Sequence, residues 1–432
     1  MRPTQRAVLL LTLGLPVALL PSFFGAALWI VWPVFLGAAL FAGGLDIVLA
    51  PRRRSVGLEA ETPDTLWIGE EGALTLQLTT SRPTTIEVLA ELDGPLRRAA
   101  PRRITIEGQG RTTLPLVPER RGEGTVVAIW VRWSGPLRLV ERQRRVPVGA
   151  TVGIVPNVRA VQSAALRFFS QREFLAGMKV ERYVGDGSEF ESMREYVPGL
   201  DHRAMNWKVT ARHRRLIVQE FRAERNHQVV LALDTGHLMA EPLAGIPKLD
   251  HAINAALLLS YVCLRTGDRV GWHTFDERVH DFAPPEAGVR TFRRLQKETA
   301  GLRYSRGETN FTLALNDLVT RLRRRSLVVV LSDFVDTVSA ELMLDNLARL
   351  SRRHLVLFVA LRDPGMVETA HRDIGTLDHL YRSVVAADFV QERRVVLRKL
   401  RRMGVHCVDA EPAAVSTGLL NSYLDLKRRE LF

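Results

Sequence analysis

The sequence has little cysteine and little lysine. Its 432 residues include two cysteines, Cys263 and Cys407, and both stand in apolar stretches typical of core positions. This excludes a disulfide framework and a cysteine-rich metal site, and it favours a reducing compartment. Only six of the 60 basic residues are lysine, so arginine carries the net charge of +13. Such a charge suits nucleic acid, anionic lipid or an acidic protein as partner, and equally the solvated faces of arginine-rich helices.

Motifs for catalysis and nucleotide binding are also missing. The sequence contains no Gly-x4-Gly-Lys-Ser/Thr phosphate loop, no Gly-x-Ser-x-Gly elbow, no His-Glu-x-x-His and no Cys-x-x-Cys. Its eleven histidines are scattered. No DNA- or RNA-binding motif accompanies the basic charge. We therefore expect a protein that is not an enzyme and does not bind nucleic acid.

The first 50 residues contain a long uncharged stretch. From Ala7 to Leu45 there are 39 residues without a charged side chain. One membrane-crossing helix needs about 20. We predict two transmembrane helices within residues 1–50, joined at a turn near Pro21-Ser22. The alternative is a cleaved signal peptide, but Phe23–Ala42 is itself long enough to cross a bilayer, which argues against cleavage.

Arginines flank this stretch on both sides. Arg2 and Arg6 precede it, and residues 52–54 are all arginine. Because positive charge is retained in the cytoplasm, both ends are predicted to be cytoplasmic. The sequence thus predicts a helical hairpin that holds cytoplasmic domains on the inner membrane.

Residues 55–150 alternate apolar and polar side chains in short runs. These runs include Leu74–Thr79, Ile86–Ala90, Ile104–Ile106 and Val126–Val131. Alternation at this spacing predicts an antiparallel β-sandwich of immunoglobulin-like size. Because the region has no paired carboxylates, histidine cluster or glycine loop, we expect a spacer or an interaction module.

From residue 228 to 432, continuous apolar strands alternate with amphipathic helices. The predicted strands are Val229–Asp234, Arg269–Phe275, Leu327–Asp333, His354–Leu361 and Val405–Asp409. This pattern predicts an α/β domain with a mostly parallel sheet covered on both faces. Ligands of such sheets bind beyond the carboxyl ends of the strands, where Asp234 and Asp333 end two of them.

The end of the first of these strands resembles a metal site. In von Willebrand factor A-type domains a strand ends in Asp-x-Ser-x-Ser, and a threonine and an aspartate from later segments help to hold a divalent cation. Asp234, Thr309 and Asp333 match that pattern, whereas Gly236 and Leu238 replace the serines. The three oxygen donors suit weak Mg²⁺ binding. The alternative is a degenerate site whose aspartates cap loops or pair with arginine.

A linker and a motif rich in arginine and aromatic residues lie within residues 151–227. The prominent residues of this motif are Arg194, Tyr196, Asp201, Arg203, Trp207 and Arg212. We predict that Asp201 caps a short helix that runs through Lys208, and that a strand follows at Leu216–Glu220. Arginine beside tryptophan binds carboxylate or phosphate well. The alternative is an internal salt-bridge network that includes Glu195 and Glu220.

This motif resembles that of the bacterial family called domain of unknown function fifty-eight. The family pattern is approximately Arg-x-Tyr-x-x-Gly-Asp-Asp-x-Arg-x-Ile-x-Trp-x-x-x-Ala-Arg, followed by an apolar strand and Glu. It is matched here by Arg194, Tyr196, Gly199, Asp201, Arg203, Trp207, Ala211, Arg212 and Glu220. Leu200 and Met205 depart from it. The order of membrane segments, β-sandwich, motif and A-type domain extends the resemblance over the whole chain.

The resemblance implies a membrane-tethered, non-enzymatic partner of MoxR-type AAA+ ATPases that assists the assembly or maturation of other proteins. On this interpretation the motif and the edge at Asp234 form a partner-binding face. Two alternatives stay open at this point. One is a metal-dependent hydrolase that uses Asp234 and Asp333, and the other is a basic module for nucleic acid or anionic lipid.

Overall fold

The chain folds into two compact units, Met1–Asn157 and Val158–Phe432. The computed structural model describes residues 2–24, 30–53, 55–97, 99–161, 163, 184–197, 205–213, 215–222, 227–335, 337, 340–371 and 375–429.

Two helices stand near the start of the first unit, α1 (Gln5–Phe24) and α2 (Val31–Leu49). By length and composition α2 is able to cross a membrane, whereas the apolar stretch Gln5–Leu19 of α1 is shorter. The predicted turn at Pro21-Ser22 is wrong, because both residues lie within α1. Apolar helices of the membrane type tolerate proline, since neighbouring groups satisfy the carbonyl that proline leaves unpaired. Residues 25–29 lie outside the described residues.

Asp46, near the end of α2, fixes this helix to the β-structure of the same unit. The residue is fully buried. Its carboxylate accepts hydrogen bonds from the backbone N–H groups of Leu137 at 2.8 Å, Leu139 at 2.8 Å and Val140 at 2.9 Å. Arg142 donates to a backbone carbonyl of α2 at 2.7 Å. The end of α2 is therefore held by charge-assisted hydrogen bonds.

Two sheets with mainly antiparallel strands form the rest of the first unit. Their strands are β1 (Arg2–Pro3), β2 (Gly57–Glu61), β3 (Thr65–Trp67), β4 (Gly72–Thr79), β5 (Thr84–Asp93), β6 (Arg102–Ile106), β7 (Gln109–Leu116), β8 (Gly122–Ser134) and β9 (Val140–Val155). The larger sheet has the order β1-β9-β8-β5-β6, with β3 parallel to β9, and the smaller has the order β2-β4-β7. On β4, Leu74, Leu76 and Leu78 are buried and alternate with more exposed residues, as in a strand with one face on a core. The immunoglobulin-like arrangement stays a prediction.

A β-hairpin carries part of the arginine-aromatic motif. Its strands β10 (Val184–Glu195) and β11 (Ile217–Arg222) pair antiparallel. Helix α3 (Trp207–His213) lies between them in the chain. The predicted cap, Asp201, lies outside the described residues. The predicted helix is wrong at Met205 and Asn206, which precede it, and the side chain of Asn206 accepts a hydrogen bond from the N–H of Val209 at 3.2 Å.

The second unit is built around a six-stranded mixed sheet of order β16-β15-β12-β17-β18-β19. Only β16 is antiparallel to its neighbour; the other strands run parallel. Its strands are β12 (Gln228–Asp234), β15 (Arg269–Phe275), β16 (Val279–Glu286), β17 (Leu327–Leu331), β18 (Leu355–Leu361) and β19 (His406–Ala410), and a small ribbon is formed by β13 (Pro242–Leu243) and β14 (Ile246–Pro247). The described helices that follow β12 in the chain are α4 (His237–Ala240), α5 (Lys248–Arg265), α6 (Val289–Gly301), α7 (Phe311–Arg321), α8 (Glu341–Ser351), α9 (Pro364–Ala370), α10 (Leu377–Arg402) and α11 (Val415–Arg428).

Alternate residues of the central strand β12 enter two separate cores. Val229, Leu231 and Leu233 join the core that includes buried residues of α5 and α11. Val230 and Ala232 join the core that includes buried residues of α7, α8 and α10. Since successive side chains of a strand point to opposite faces, both faces of the sheet are covered. The carboxyl ends of the parallel strands are left for polar side chains.

Candidate functional site

Asp234 ends strand β12 and is almost fully buried. One carboxylate oxygen accepts hydrogen bonds from the Thr309 hydroxyl at 2.7 Å and from the Gly236 N–H at 2.8 Å. The other accepts from the hydroxyl of Ser332, the residue that follows β17. Burial raises the pKa of Asp234 from 3.8 to about 6, although these three hydrogen bonds lower it in part. The loop of Thr309 and the end of β17 are thereby tied to β12.

Asp333, the next residue after Ser332, is buried and belongs to a network of ion pairs. Its Oδ2 is 2.8 Å from the Nζ of Lys248, at the start of α5. Its Oδ1 is 2.9 Å from a guanidinium nitrogen of Arg393, on α10. The two cations have a second carboxylate each, since Lys248 pairs with Glu241 at 2.7 Å and Arg393 with Asp409 at 3.1 Å. We call these five residues the ion-pair network.

The carboxylates of this network stabilise the charged forms of Lys248 and Arg393. Burial by itself lowers the pKa of Lys248, but the carboxylates of Asp333 and Glu241 outweigh it, so the pKa is raised. The pKa of Arg393 is raised for the same reason, by Asp333 and Asp409 against burial. Lys248 and Arg393 are therefore charged, and the network is a fixed set of partnered charges at the carboxyl end of the sheet.

These contacts do not fit a divalent cation. Both oxygens of Asp333 face positive groups, and a metal ion beside them would be repelled. The oxygens of Asp234 are occupied by hydrogen bonds from Thr309, Gly236 and Ser332. Within the described part of the chain, no group of three or more His, Cys, Asp or Glu side chains is placed to hold a metal ion. The Mg²⁺ site and the hydrolase built on it stay predictions, and these contacts do not support them.

Gly236 shows why the serine of the A-type pattern is absent. A β-carbon at this position would lie 2.1 Å from the Thr309 hydroxyl oxygen and 3.0 Å from the Oδ1 of Asp234. Such contacts are closer than real β-carbons make. The direct hydrogen bond between Thr309 and Asp234 thus takes the space that a serine side chain would need.

A cavity of about 300 Å³ opens beside the ion-pair network. All five residues of the network line it. Its other walls include the apolar side chains of Leu243, Phe334, Val335, Met366, Val367 and Phe389. A cavity with an ionic floor and apolar walls is suited to recognise an apolar group that carries a polar end.

The described residues of the arginine-aromatic motif take no part in these contacts. Trp207 is 67% exposed, and Arg212 is exposed as well. Tyr196 donates its backbone N–H to the carbonyl of Leu216 at 2.8 Å. Arg194 is paired through its backbone in β10, and its side chain lies outside the described residues, as do Asp201 and Arg203 entirely. Of the contacts described here, none joins Tyr196, Trp207 or Arg212 to Asp234 or Asp333.

One residue of the expected salt-bridge network, Glu195, makes an ion pair within the described residues. Glu195 pairs with Arg215 at 3.6 Å, and both side chains are largely exposed. The side chain of Glu220 lies outside the described residues. An exposed ion pair of this kind contributes little to stability.

Sequence reasoning missed Lys248 and Arg393, which complete the site. Lys248 has a weak signal, because it is one of only six lysines and directly follows a proline at the start of a helix. Arg393 gives no such signal in the sequence, because it is one of several arginines on α10.

Residues 192–376 match the family model described as protein of unknown function DUF58. This region of the chain belongs to the DUF58 family. Uncharacterized proteins of Mycobacterium tuberculosis and Mycobacterium bovis are 29% identical to the chain over 191 residues, which cover 43% of it. The match spans 58% of the length of these curated relatives. The DUF58 region includes Asp234, Thr309 and Asp333, whereas Arg393 lies beyond its end.

The similarity of this chain to solved structures is weaker. The conserved hypothetical protein BatB from Bacteroides thetaiotaomicron is 12% identical, with a TM-score of 0.32 over 47% of this chain and 99% of that one. An aerotolerance-related membrane protein from Bacteroides fragilis is 11% identical, with a TM-score of 0.28 over 45% of this chain and 99% of that one. Scores of this size carry no argument about the present fold.

Proposed function

We propose that this protein is a non-enzymatic, membrane-anchored adaptor whose second unit binds a protein partner at the carboxyl end of its sheet. The partner is a MoxR-type AAA+ ATPase system that assists the assembly or maturation of other proteins. The ion-pair network and the cavity beside it form the binding surface.

The cavity is the observation that carries this proposal. Its floor holds charges that are already partnered, so a ligand does not have to neutralise them on binding. Its walls are apolar, and Val335 and Met366 remain 41% and 39% exposed. A partner that buries an apolar side chain here gains hydrophobic free energy, and the fixed surroundings reduce the ordering cost.

The anchoring part of the proposal is supported by helix α2. This helix is able to cross a membrane by length and composition, and only 6% of its apolar window is buried inside the protein. Its apolar surface therefore needs another environment, which a bilayer provides.

The ATPase partner is supported by the family resemblance and by the sequence. The DUF58 region carries the resemblance, and the sequence contains no phosphate-binding loop of its own. An adaptor in an energy-dependent assembly process would draw on the nucleotide site of its partner.

Direct binding to the purified ATPase tests the proposal. The full chain in detergent micelles is titrated with the MoxR-type ATPase of the same organism, and the dissociation constant is measured by interferometry. We expect Val335→Glu and Met366→Glu each to weaken binding at least tenfold, because each places a charge on the apolar wall. Both residues are partly exposed, so folding is preserved.

A matched control separates surface charge from the cavity. Val289→Glu introduces the same charge at a residue that is 69% exposed, at the start of α6. It is expected to leave binding unchanged. Equal affinity of all four proteins would exclude the cavity as the binding surface, and absence of binding by the unmodified chain would exclude the ATPase as partner.

A further inference from the structure

The opposite end of the same sheet carries a dense group of exposed arginines. Three loops enter the amino ends of the neighbouring strands β17, β18 and β19. These loops and the last turn of α10 contribute the residues that we call the arginine edge: Arg323, Arg324, Arg325, Arg352, Arg353, Arg401 and Arg402. All seven are exposed.

Contacts between the loops show that these arginines are neighbours in space. Arg325 and Arg353 both lower the pKa of His354, which burial lowers further. The backbone N–H of Leu355 donates to the carbonyl of Ser326 at 3.0 Å, and the hydroxyl of Ser351 donates to the carbonyl of Met403 at 3.2 Å. The three loops are thus laid side by side, and their charges add over one surface.

The arginines of this edge are not held in ion pairs within the described residues. The ion pairs found there include none from its seven members, whereas Arg321 nearby is paired with Asp317 at 2.7 Å. Asp268, which also lies at this end of the sheet, is buried and pairs with Lys427 at 2.6 Å. The exposed Asp425 lines a pocket together with Arg401 and Arg429. The surface therefore has a strong net positive charge.

We infer that the arginine edge binds the anionic headgroups of a phospholipid membrane. Helix α2 favours a membrane as the ligand of this edge, because the helix would keep the chain next to a bilayer. Five of the seven arginines stand on loops and two end helix α10, so the edge presents no continuous basic helix or β-ribbon to the groove of a duplex. The segments 321–326 and 349–354 contain no Phe, Tyr or Trp on which bases of a single strand would stack. Clustered basic residues attract anionic lipid surfaces without such features.

Hydrogen exchange of the full chain in nanodiscs tests this inference. One set of discs contains phosphatidylcholine alone, and the other contains phosphatidylcholine with phosphatidylglycerol. We expect the amides of the three loops to exchange at least tenfold more slowly in the anionic discs. The difference should disappear in 1 M salt, because screening then acts over about 3 Å.

Charge reversal at two loops identifies the residues responsible. The double variant Arg324→Glu, Arg353→Glu is expected to lose this protection, since each basic residue near an anionic surface contributes about fivefold to the attraction. The control is the double variant Arg303→Glu, Arg306→Glu, which reverses two exposed arginines in the loop that donates to Thr235 at the other end of the sheet. It is expected to keep the protection.

Two results would overturn the inference. In the first, the loops exchange equally in both kinds of disc. In the second, a DNA duplex or an RNA strand protects the loops while the anionic discs do not, and the arginine edge is then a nucleic-acid surface. Since none of these measurements involves the ATPase, failure here leaves the cavity proposal intact.

Discussion

The Nζ of Lys248 lies 2.8 Å from the Oδ2 of Asp333, so an ammonium group stands at the strand end where A-type domains would have a divalent cation nearby. The side chains are 13% and 6% exposed, respectively. The positive charge at this edge is therefore part of the polypeptide, and its presence does not depend on the concentration of an ion.

Breaking this pair should destabilise the second unit. Lys248→Met leaves the Asp333 carboxylate with one cation fewer in a buried place, and we expect a loss of about 3 kcal/mol. The measurement is urea denaturation followed by hydrogen exchange of β12 and β17. Lys297→Met, at an exposed lysine of α6, is the control and should cost less than about 0.5 kcal/mol. A similar stability of both variants would contradict the role of the pair.

A serine at position 236 should not create a metal site. Gly236→Ser is expected to cost about 1–3 kcal/mol, because its β-carbon collides with the Thr309 hydroxyl. Calorimetric titration with Mg²⁺ should show no heat of binding in this variant. In the background of Thr309→Ala, where the hydroxyl is gone, the same substitution should cost less. Additive costs in this double-mutant cycle would disprove the steric explanation.

The stability of the second unit should depend on the ionisation of Asp234. Its pKa is about 6 in the folded protein against an ordinary value of 3.8, so between these values the folded state binds more protons than the unfolded state. Stability from this group is present below about pH 4 and is lost as the pH rises through 6, by up to about 3 kcal/mol. Asp234→Asn should flatten this part of the profile. An identical pH dependence in both proteins would rule out the raised pKa.

The contacts that Asp46 makes between α2 and the β-structure should open when its carboxylate is removed. Asp46→Ala leaves three buried backbone N–H groups without their acceptor, at a cost of about 1–3 kcal/mol each. The amides of Leu137, Leu139 and Val140 should exchange about 100-fold faster. Asp64→Asn, at an exposed aspartate of the same unit, should leave these rates unchanged.

Part of the site follows from sequence because it depends on strand ends. Asp234 and Asp333 terminate apolar runs, and parallel neighbours bring such ends to one edge of a sheet. The hydrogen bond between Thr309 and Asp234 joins two residues that the A-type pattern also relates. The pattern says nothing about which donors satisfy these carboxylates.

The remaining part depends on how helices are placed in three dimensions. Lys248 is 85 positions from Asp333 and Arg393 is 60 away, and only the packing of α5 and α10 brings their charges to that carboxylate. The start of α3 was misplaced for a local reason. The side chain of Asn206 accepts the N–H of Val209 and begins the helix at Trp207, after two residues that were predicted to lie within it.

The contacts of Asp46 and Arg142 have a mechanical consequence. Because α2 meets the β-structure of its unit through buried hydrogen bonds, and Ala50 and Pro51 after it are buried too, no slack chain separates them. A pull on the β-structure would be transmitted to the helix as tension and torque. The helix and the β-structure of the first unit would then move together as one rigid body.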